Sequence, residues 1–352
     1  MSIEKSCNYV EEYSFDWVNQ HTKIVNDEEF SLSCEGCNLT KNRYKNVLAN
    51  NKSIVPLKSG NYINANYIFG GRYISCQAPL TTTIEDFYDM IWEQETPIII
   101  MLTKYEEKNR IKATRYFSEN GIEQKYGKFN IKVGSILYND LQTIKRMETQ
   151  IREIIIENQI EKSKRSIIHI HYTGWPDFGV PSNIKQITDM LLISLVCRGK
   201  IKGIKLNGPP IIHCSAGLGR SGTFIILLRI YEHHFYSILK GGGELYLNKY
   251  NNNKLIDIEL EKKINNIKES LNEYEIKKLV AEMVLSIRNE RKGMVQSMEQ
   301  YNFIIQLLNE FYTKIYPFIP IKKSHIIDQI DQFLSPTLKT NLKHFIKPLI
   351  KN

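Results

Sequence analysis

The chain has 352 residues and a mass of 41.1 kDa, room for one large domain or two ordinary ones. Hydrophobic residues at 42% and charged residues at 24% are ordinary globular usage and exclude wholesale disorder. Lys and Arg number 47 against 38 Asp and Glu, a net charge of +9 that suits nucleic acid, anionic lipid or acidic phosphorylated substrates without choosing among them.

Residues 1–30 read as an acidic, helical lead-in, with Phe15, Trp17 and Val18 available for docking. No basic stretch followed by an apolar one opens the chain, which argues against a signal peptide, and Ser2 in place of glycine argues against myristoylation. No apolar run approaches the roughly 18 residues of a membrane span. The six cysteines (Cys7, Cys34, Cys37, Cys76, Cys197 and Cys214) are too sparse for a disulfide framework, so a cytoplasmic protein is expected.

Residues 31–60 are rich in loop formers. They include Cys34-Glu35-Gly36-Cys37, a lone CxxC better read as two free thiols than as a zinc site. Strand candidates follow at Tyr62–Ile68, Tyr73–Ala78, Ile98–Leu102, Ala113–Phe117, Lys128–Leu137, Thr149–Gln159 and Ile167–Tyr172, with one helical interval near Ile84–Glu95. After Pro181 the apolar period lengthens, predicting helices over Asn183–Arg198, Thr223–Phe235, residues 258–289 and residues 297–312. Lys240–Lys254 carries three glycines and an Asn run, reads as a loop, and opens an insertion at about 240–271. Residues 316–352 form a basic amphipathic tail, read as a packed helix, with weak contact to an anionic membrane as the second reading.

At the centre, Pro209-Pro210-Ile211-Ile212-His213 is a short buried strand that runs into Cys214-Ser215-Ala216-Gly217-Leu218-Gly219-Arg220-Ser221-Gly222 and then an apolar helix. Glycines at 217, 219 and 222 let the backbone curl so that several N–H groups face one point, a nest for a tetrahedral oxyanion. The helix N-terminus adds partial positive charge there, and Arg220 offers a two-pronged donor. Cys214, at the mouth of this cradle, is favoured as a thiolate nucleophile. A phosphate-lysine loop is excluded, because no Gly-Lys-Ser/Thr follows.

This segment resembles the signature loop of the cysteine-dependent protein tyrosine phosphatases. Five further stretches resemble the tyrosine-specific branch of that family, in family order. They are KNRYKNV at Lys41–Val47, YINANYI at Tyr62–Ile68, QAPL at Gln77–Leu80, WPDFGVP at Trp175–Pro181 and RKGMVQSMEQY at Arg291–Tyr301. The resemblance implies an α+β fold. It has a highly twisted mixed sheet flanked by helices, with the catalytic domain over residues 31–315 and a central strand, phosphate-binding loop and helix.

It also implies roles. Cys214 is the nucleophile, Arg220 the phosphate clamp, Asp177 the general acid and then base, Gln296 the water-positioning residue, and Ser221 the donor to the leaving sulfur. Tyr44 walls a deep slot. Asn46, standing where several relatives carry Asp, leaves peptide preference open. Ser215, Ala216, Gly217, Leu218, Gly219 and Gln300 complete substrate binding. His213, Glu107, Lys112, Tyr116 and Trp175 support the site, and Arg288 falls where some relatives use an arginine beyond the primary slot. No metal or other cofactor is implied. The expected partners are phosphotyrosine-containing proteins met by a monomer, with no nucleic acid. A catalytically dead phosphotyrosine-binding module is disfavoured because Cys214, Arg220, Asp177 and Gln296 are all present. A phosphoserine/threonine or phosphoinositide enzyme is disfavoured by the joint presence of the KNRY and WPDFG stretches.

Overall fold

The computed structural model describes residues 10–24, 26–119, 121–136, 148–177, 179–199, 208–240, 262–264 and 272–316. Most of the insertion expected at about 240–271, and the tail beyond Tyr316, lie outside these residues.

The described residues build one eight-stranded mixed sheet and one small two-stranded sheet. The strands are β1 (Ala65–Ile68), β2 (Tyr73–Cys76), β3 (Ile98–Met101), β4 (Glu106–Glu107), β5 (Arg110–Ile111), β6 (Gln124–Tyr126), β7 (Phe129–Ile136), β8 (Thr149–Asn158), β9 (Ser163–Tyr172) and β10 (Ile211–His213). In the large sheet their order is β1-β2-β10-β3-β9-β8-β7-β6, while β4 and β5 pair with each other. The four central strands β2, β10, β3 and β9 are parallel, and the pairings toward both edges are antiparallel.

A central parallel strand is covered on both faces and therefore reads as a continuous apolar run. Ile98, Ile100 and Leu102 enter one hydrophobic cluster and Ile99 and Met101 the other. The first cluster is closed by α4 (Ile184–Gly199), α5 (Gly219–Lys240), α6 (Glu273–Glu290) and α7 (Met298–Glu310). The second is closed by α3 (Ile84–Glu93) through Phe87, Met90 and Ile91.

Expectation and structure part most clearly at two places. Ala113–Phe117 is irregular rather than a strand. The backbone N–H groups of Lys112 and Ala113 both donate to the Tyr105 carbonyl, while Ala113, Tyr116 and Phe117 pack into the second cluster by their side chains. Burial without a ladder reproduces the apolar spacing of a strand. The loop-rich stretch after residue 30 also contains a short helix, α2 (Ser31–Cys34), and a 3₁₀ turn over Gly36–Lys41. In the lead-in, α1 (Phe15–His21) is capped by the Ser14 hydroxyl, which accepts from the Trp17 N–H at 3.1 Å. No helix among the described residues is long and apolar enough to cross a membrane.

Candidate active site

The site lies where β10 ends and α5 begins. His213 pairs in register with Cys76 of β2 on one side and Met101 of β3 on the other, so the loop that follows leaves from the middle of the sheet. Each carbonyl of that loop is claimed from outside. Cys214 O faces His213 Nδ1 at 3.1 Å, and Ser215 O accepts from the Ala78 N–H at 3.0 Å. Ala216 O accepts from Arg291 Nη2 at 2.9 Å, and Gly217 O from Arg291 Nε at 2.9 Å and Ser75 Oγ at 3.0 Å. Leu218 O accepts from the Gly222 and Val295 N–H groups. A trans peptide points its N–H opposite to its C=O. Carbonyls pulled outward therefore turn the N–H groups of the following residues inward, around Cys214. The Gly217 N–H reaches Cys214 Sγ at 3.3 Å.

Gly217 has φ +71°, and a Cβ there would lie 2.2 Å from the Cys76 carbonyl oxygen. Only glycine fits that turn against β2.

Arg220 is nearly buried, at 4% exposure of its side chain. It meets Glu107 in a two-pronged ion pair, with both N···O distances 2.7 Å, and donates from Nη2 to Asp177 Oδ1 at 2.9 Å. Burial alone would raise the Glu107 carboxyl, but the Arg220 hydrogen bonds and charge outweigh it and hold the group below its ordinary range. The other Asp177 oxygen pairs with Lys112 Nζ. Trp175 is buried and donates from Nε1 to the Gly179 carbonyl at 2.9 Å, so the ends of the Asp177 turn are tied to each other.

Tyr44 enters from the Lys41–Val47 stretch, and its hydroxyl meets Ser215 Oγ at 2.8 Å. Arg43 pins that stretch by donating to the Ala78 and Pro79 carbonyls at 3.0 and 2.7 Å. Asn46 is exposed beside it. On the opposite side, a Cβ at Gly219 would fall 2.8 Å from both Gln296 Oε1 and Gln300 Oε1, so the two glutamines lie directly over the loop. Gln300 is buried and accepts from the Gln296 N–H at 3.0 Å. Ser221 is fully buried, and its hydroxyl has no hydrogen-bond partner among the described residues.

With this geometry in place, comparison with known proteins decides the lineage. Residues 38–236 match the family model described as protein-tyrosine phosphatase. The chain belongs to the protein-tyrosine phosphatase family. It is 33% identical over 299 residues to tyrosine-protein phosphatase 3 of Dictyostelium discoideum, covering 82% of this chain and 26% of that protein. It is 35% identical over 249 residues to tyrosine-protein phosphatase 2 of the same organism, covering 71% and 54%. The chain thus spans about half or less of the length of these curated relatives. Among solved structures, the catalytic domain of human protein tyrosine phosphatase non-receptor type 18 superposes with a TM-score of 0.61 at 24% identity, covering 80% of this chain and 88% of that one. That likeness shows the fold, the expected α+β phosphatase architecture.

Within this phosphatase domain three positions depart from or extend the sequence reading. Arg288 does not present its guanidinium to a second slot. It is 6% exposed and donates to the Met294 and Val295 carbonyls at 2.9 Å, to Asn19 Oδ1 at 3.0 Å and to Thr22 Oγ1 at 2.8 Å. It therefore ties the lead-in helix to the Gln296 loop, where Val295 holds a left-handed φ of +57° that a β-branched residue adopts only under strain. Arg291 was visible as part of a motif but not as a brace. Fully buried, it donates to two loop carbonyls and to Asn66 Oδ1 at 2.6 Å and Asn64 Oδ1 at 2.7 Å. Third, Tyr116 reaches His213, at 3.0 Å from Nε2, and also meets His169 Nε2 at 2.6 Å. Burial holds His213 neutral, pushed down to about 4, and His169 well below the ordinary imidazole value. Cys34 and Cys37 are exposed free thiols. No group of three or more His, Cys, Asp or Glu among the described residues is arranged to hold a metal ion.

Proposed function

We propose that the domain hydrolyses phosphotyrosine in proteins through a cysteinyl-phosphate intermediate. The observation that carries this reading is the Gly217 N–H on the Cys214 sulfur, in a loop whose carbonyls are all drawn outward, with an Arg220 guanidinium from the end of the same loop that holds the Asp177 carboxylate. Inward N–H groups and Arg220 stabilise the equatorial oxygens of the transferring phosphoryl group, and Cys214 attacks phosphorus in line with the leaving oxygen. Asp177 donates a proton to the departing phenolate, whose conjugate acid has a pKa of about 10, and then accepts one from the attacking water. Gln296 and Gln300, above the loop, orient that water. The Ser221 hydroxyl, buried with no partner among the described residues, is free to donate to the departing sulfur. Tyr44 stacks on the substrate ring, and the depth it sets favours phosphotyrosine over the shorter phosphoserine.

Asp177 and the substrate phosphate compete for the same guanidinium face. The Asp177 pairs with Arg220 and Lys112 must therefore give way when phosphate binds. The catalytic unit is proposed to span residues 31–315, with residues 1–30 as lead-in and residues 316–352 as a basic tail. The +9 charge suits acidic phosphopeptides, and we place the enzyme in the cytoplasm as a monomer. The test is hydrolysis of an aryl phosphate in excess EDTA by the wild-type chain. The activity is expected to vanish in Cys214→Ser while phosphotyrosine-peptide binding persists. An activity lost in EDTA and indifferent to Cys214→Ser would contradict the proposal.

A further inference from the structure

A file of buried polar groups runs from the interior of the sheet to the reactive loop. Arg152 of β8 is fully buried, and its Nη1 meets His169 Nδ1 at 3.1 Å. His169 Nε2 meets the Tyr116 hydroxyl at 2.6 Å, Tyr116 meets His213 Nε2 at 3.0 Å, and His213 Nδ1 meets the Cys214 carbonyl at 3.1 Å. Residues 152, 169, 116 and 213 come from four separate segments of the chain. Among the described residues, the acid paired with Arg152 is Glu119, 3.8 Å away and 40% exposed.

The donor inventory permits a single direction. A guanidinium has donors and no acceptor, so His169 Nδ1 must carry the lone pair and Nε2 the proton. That proton goes to the Tyr116 oxygen. Tyr116 then gives its own proton to His213 Nε2, since its other neighbour, the Met101 sulfur, lies at 3.9 Å and is a weak acceptor. His213 is left with its proton on Nδ1, facing the Cys214 carbonyl. In the reverse arrangement two lone pairs would confront each other at the carbonyl.

We propose that Arg152 is a positioning residue for the nucleophile: acting through His169, Tyr116 and His213, it fixes one tautomer along the relay and so holds the Cys214 carbonyl away from the cradle. Two consequences follow. The Ser215 N–H, opposite that carbonyl in the same peptide plane, is locked facing inward. The aligned bonds also point their positive ends toward Cys214, with a buried cation at the far end, which favours the thiolate. Arg220, Arg291 and Cys76 also interact with Cys214 by charge, and substitutions in the relay leave all three in place.

The proposal rests on Cys214 as the nucleophile, and its test separates the two ideas. In ¹⁵N-histidine spectra of the wild-type chain, His169 is expected as the pure Nε2–H tautomer and His213 as the pure Nδ1–H tautomer. The opposite tautomer at either ring overturns the relay without any variant having to fold. Alkylation of Cys214 by neutral iodoacetamide at pH 6 is then expected to slow about three- to ten-fold in Arg152→Met and in Tyr116→Phe. Arg152→Lys keeps a donor and should restore most of the rate. The double variant should match Tyr116→Phe alone, because the relay is already cut. If Arg152→Met lowers the melting temperature yet leaves the alkylation rate and the His213 tautomer unchanged, Arg152 only packs and the proposal falls. If wild-type Cys214 reacts no faster than the exposed Cys34 and Cys37, the nucleophile reading fails instead, and the tautomers still judge the relay.

Discussion

The loop after β10 and the turn that carries Asp177 face each other across the site, yet they are held in opposite ways. Every carbonyl from Cys214 to Leu218 has a partner outside the loop, and the guanidinium of Arg291 behind it is completely buried. The Asp177 turn is fastened at its start by the Thr173 N–H on the Glu148 carbonyl and internally by Trp175 on Gly179. Its carboxylate, 23% exposed, rests on two ion pairs. A cradle must present its donors before the substrate arrives, because reorganising them during reaction would forfeit their effect. An acid that protonates a leaving group must instead make room for the substrate and then meet it.

Removing the sulfur tests the rigid side most severely. Cys214→Ser is expected to lower turnover by about 10⁴-fold or more while leaving the cradle able to bind phosphotyrosine peptide, measured by steady-state kinetics and calorimetry. Asp177→Ala tests the other side. It should cost about 10²- to 10⁴-fold in kcat on aryl phosphates with poor leaving groups, and much less on those with good ones. An equal loss on both would mean that Asp177 is not the acid.

Arg291→Met should distinguish the two regions by stability. Four acceptors lose a buried partner, so a loss of about 3 kcal/mol or more is expected in urea unfolding, together with activity. Lys112→Met, which loosens only the Asp177 turn, should change stability by under about 1 kcal/mol. A reversed order would break the comparison.

How much of this was legible in the sequence follows the same division. The nest around Cys214 was readable because its glycines, cysteine and arginine are contiguous, and the strand before it and helix after it are apolar. The braces were not. Arg291 meets Asn66 across 225 positions and the Gly217 carbonyl across 74, and no local pattern announces such a pairing. Arg288 and Arg152 were hidden for the same reason, since a buried arginine has no periodicity of its own. Ala113–Phe117 misled in the other direction: side chains packed under a loop gave the spacing of a strand without its hydrogen bonds.

A further prediction concerns pH. His213 is pushed down to about 4 and His171 to about 3 by burial, whereas both would titrate near 6.5 in the unfolded chain. Between those values the unfolded state binds more protons, so stability falls as pH drops from about 6.5 and is regained as pH rises. The slope is up to about 1.4 kcal/mol per pH unit for each histidine. Unfolding free energies at pH 7, 6 and 5 would check it, and a flat profile would show that these rings are charged or exposed.

The central claim is that the Cys214 sulfur carries the phosphoryl group between two half-reactions. Mass spectrometry of Gln296→Ala, mixed with phosphotyrosine peptide and quenched in acid within milliseconds, tests it most directly, because slowing the water step should let the intermediate build up. A peptide containing Cys214 and one added phosphoryl group is the expected result. Free phosphate released with that peptide always unmodified, under conditions that preserve an authentic phosphocysteine, would contradict the account.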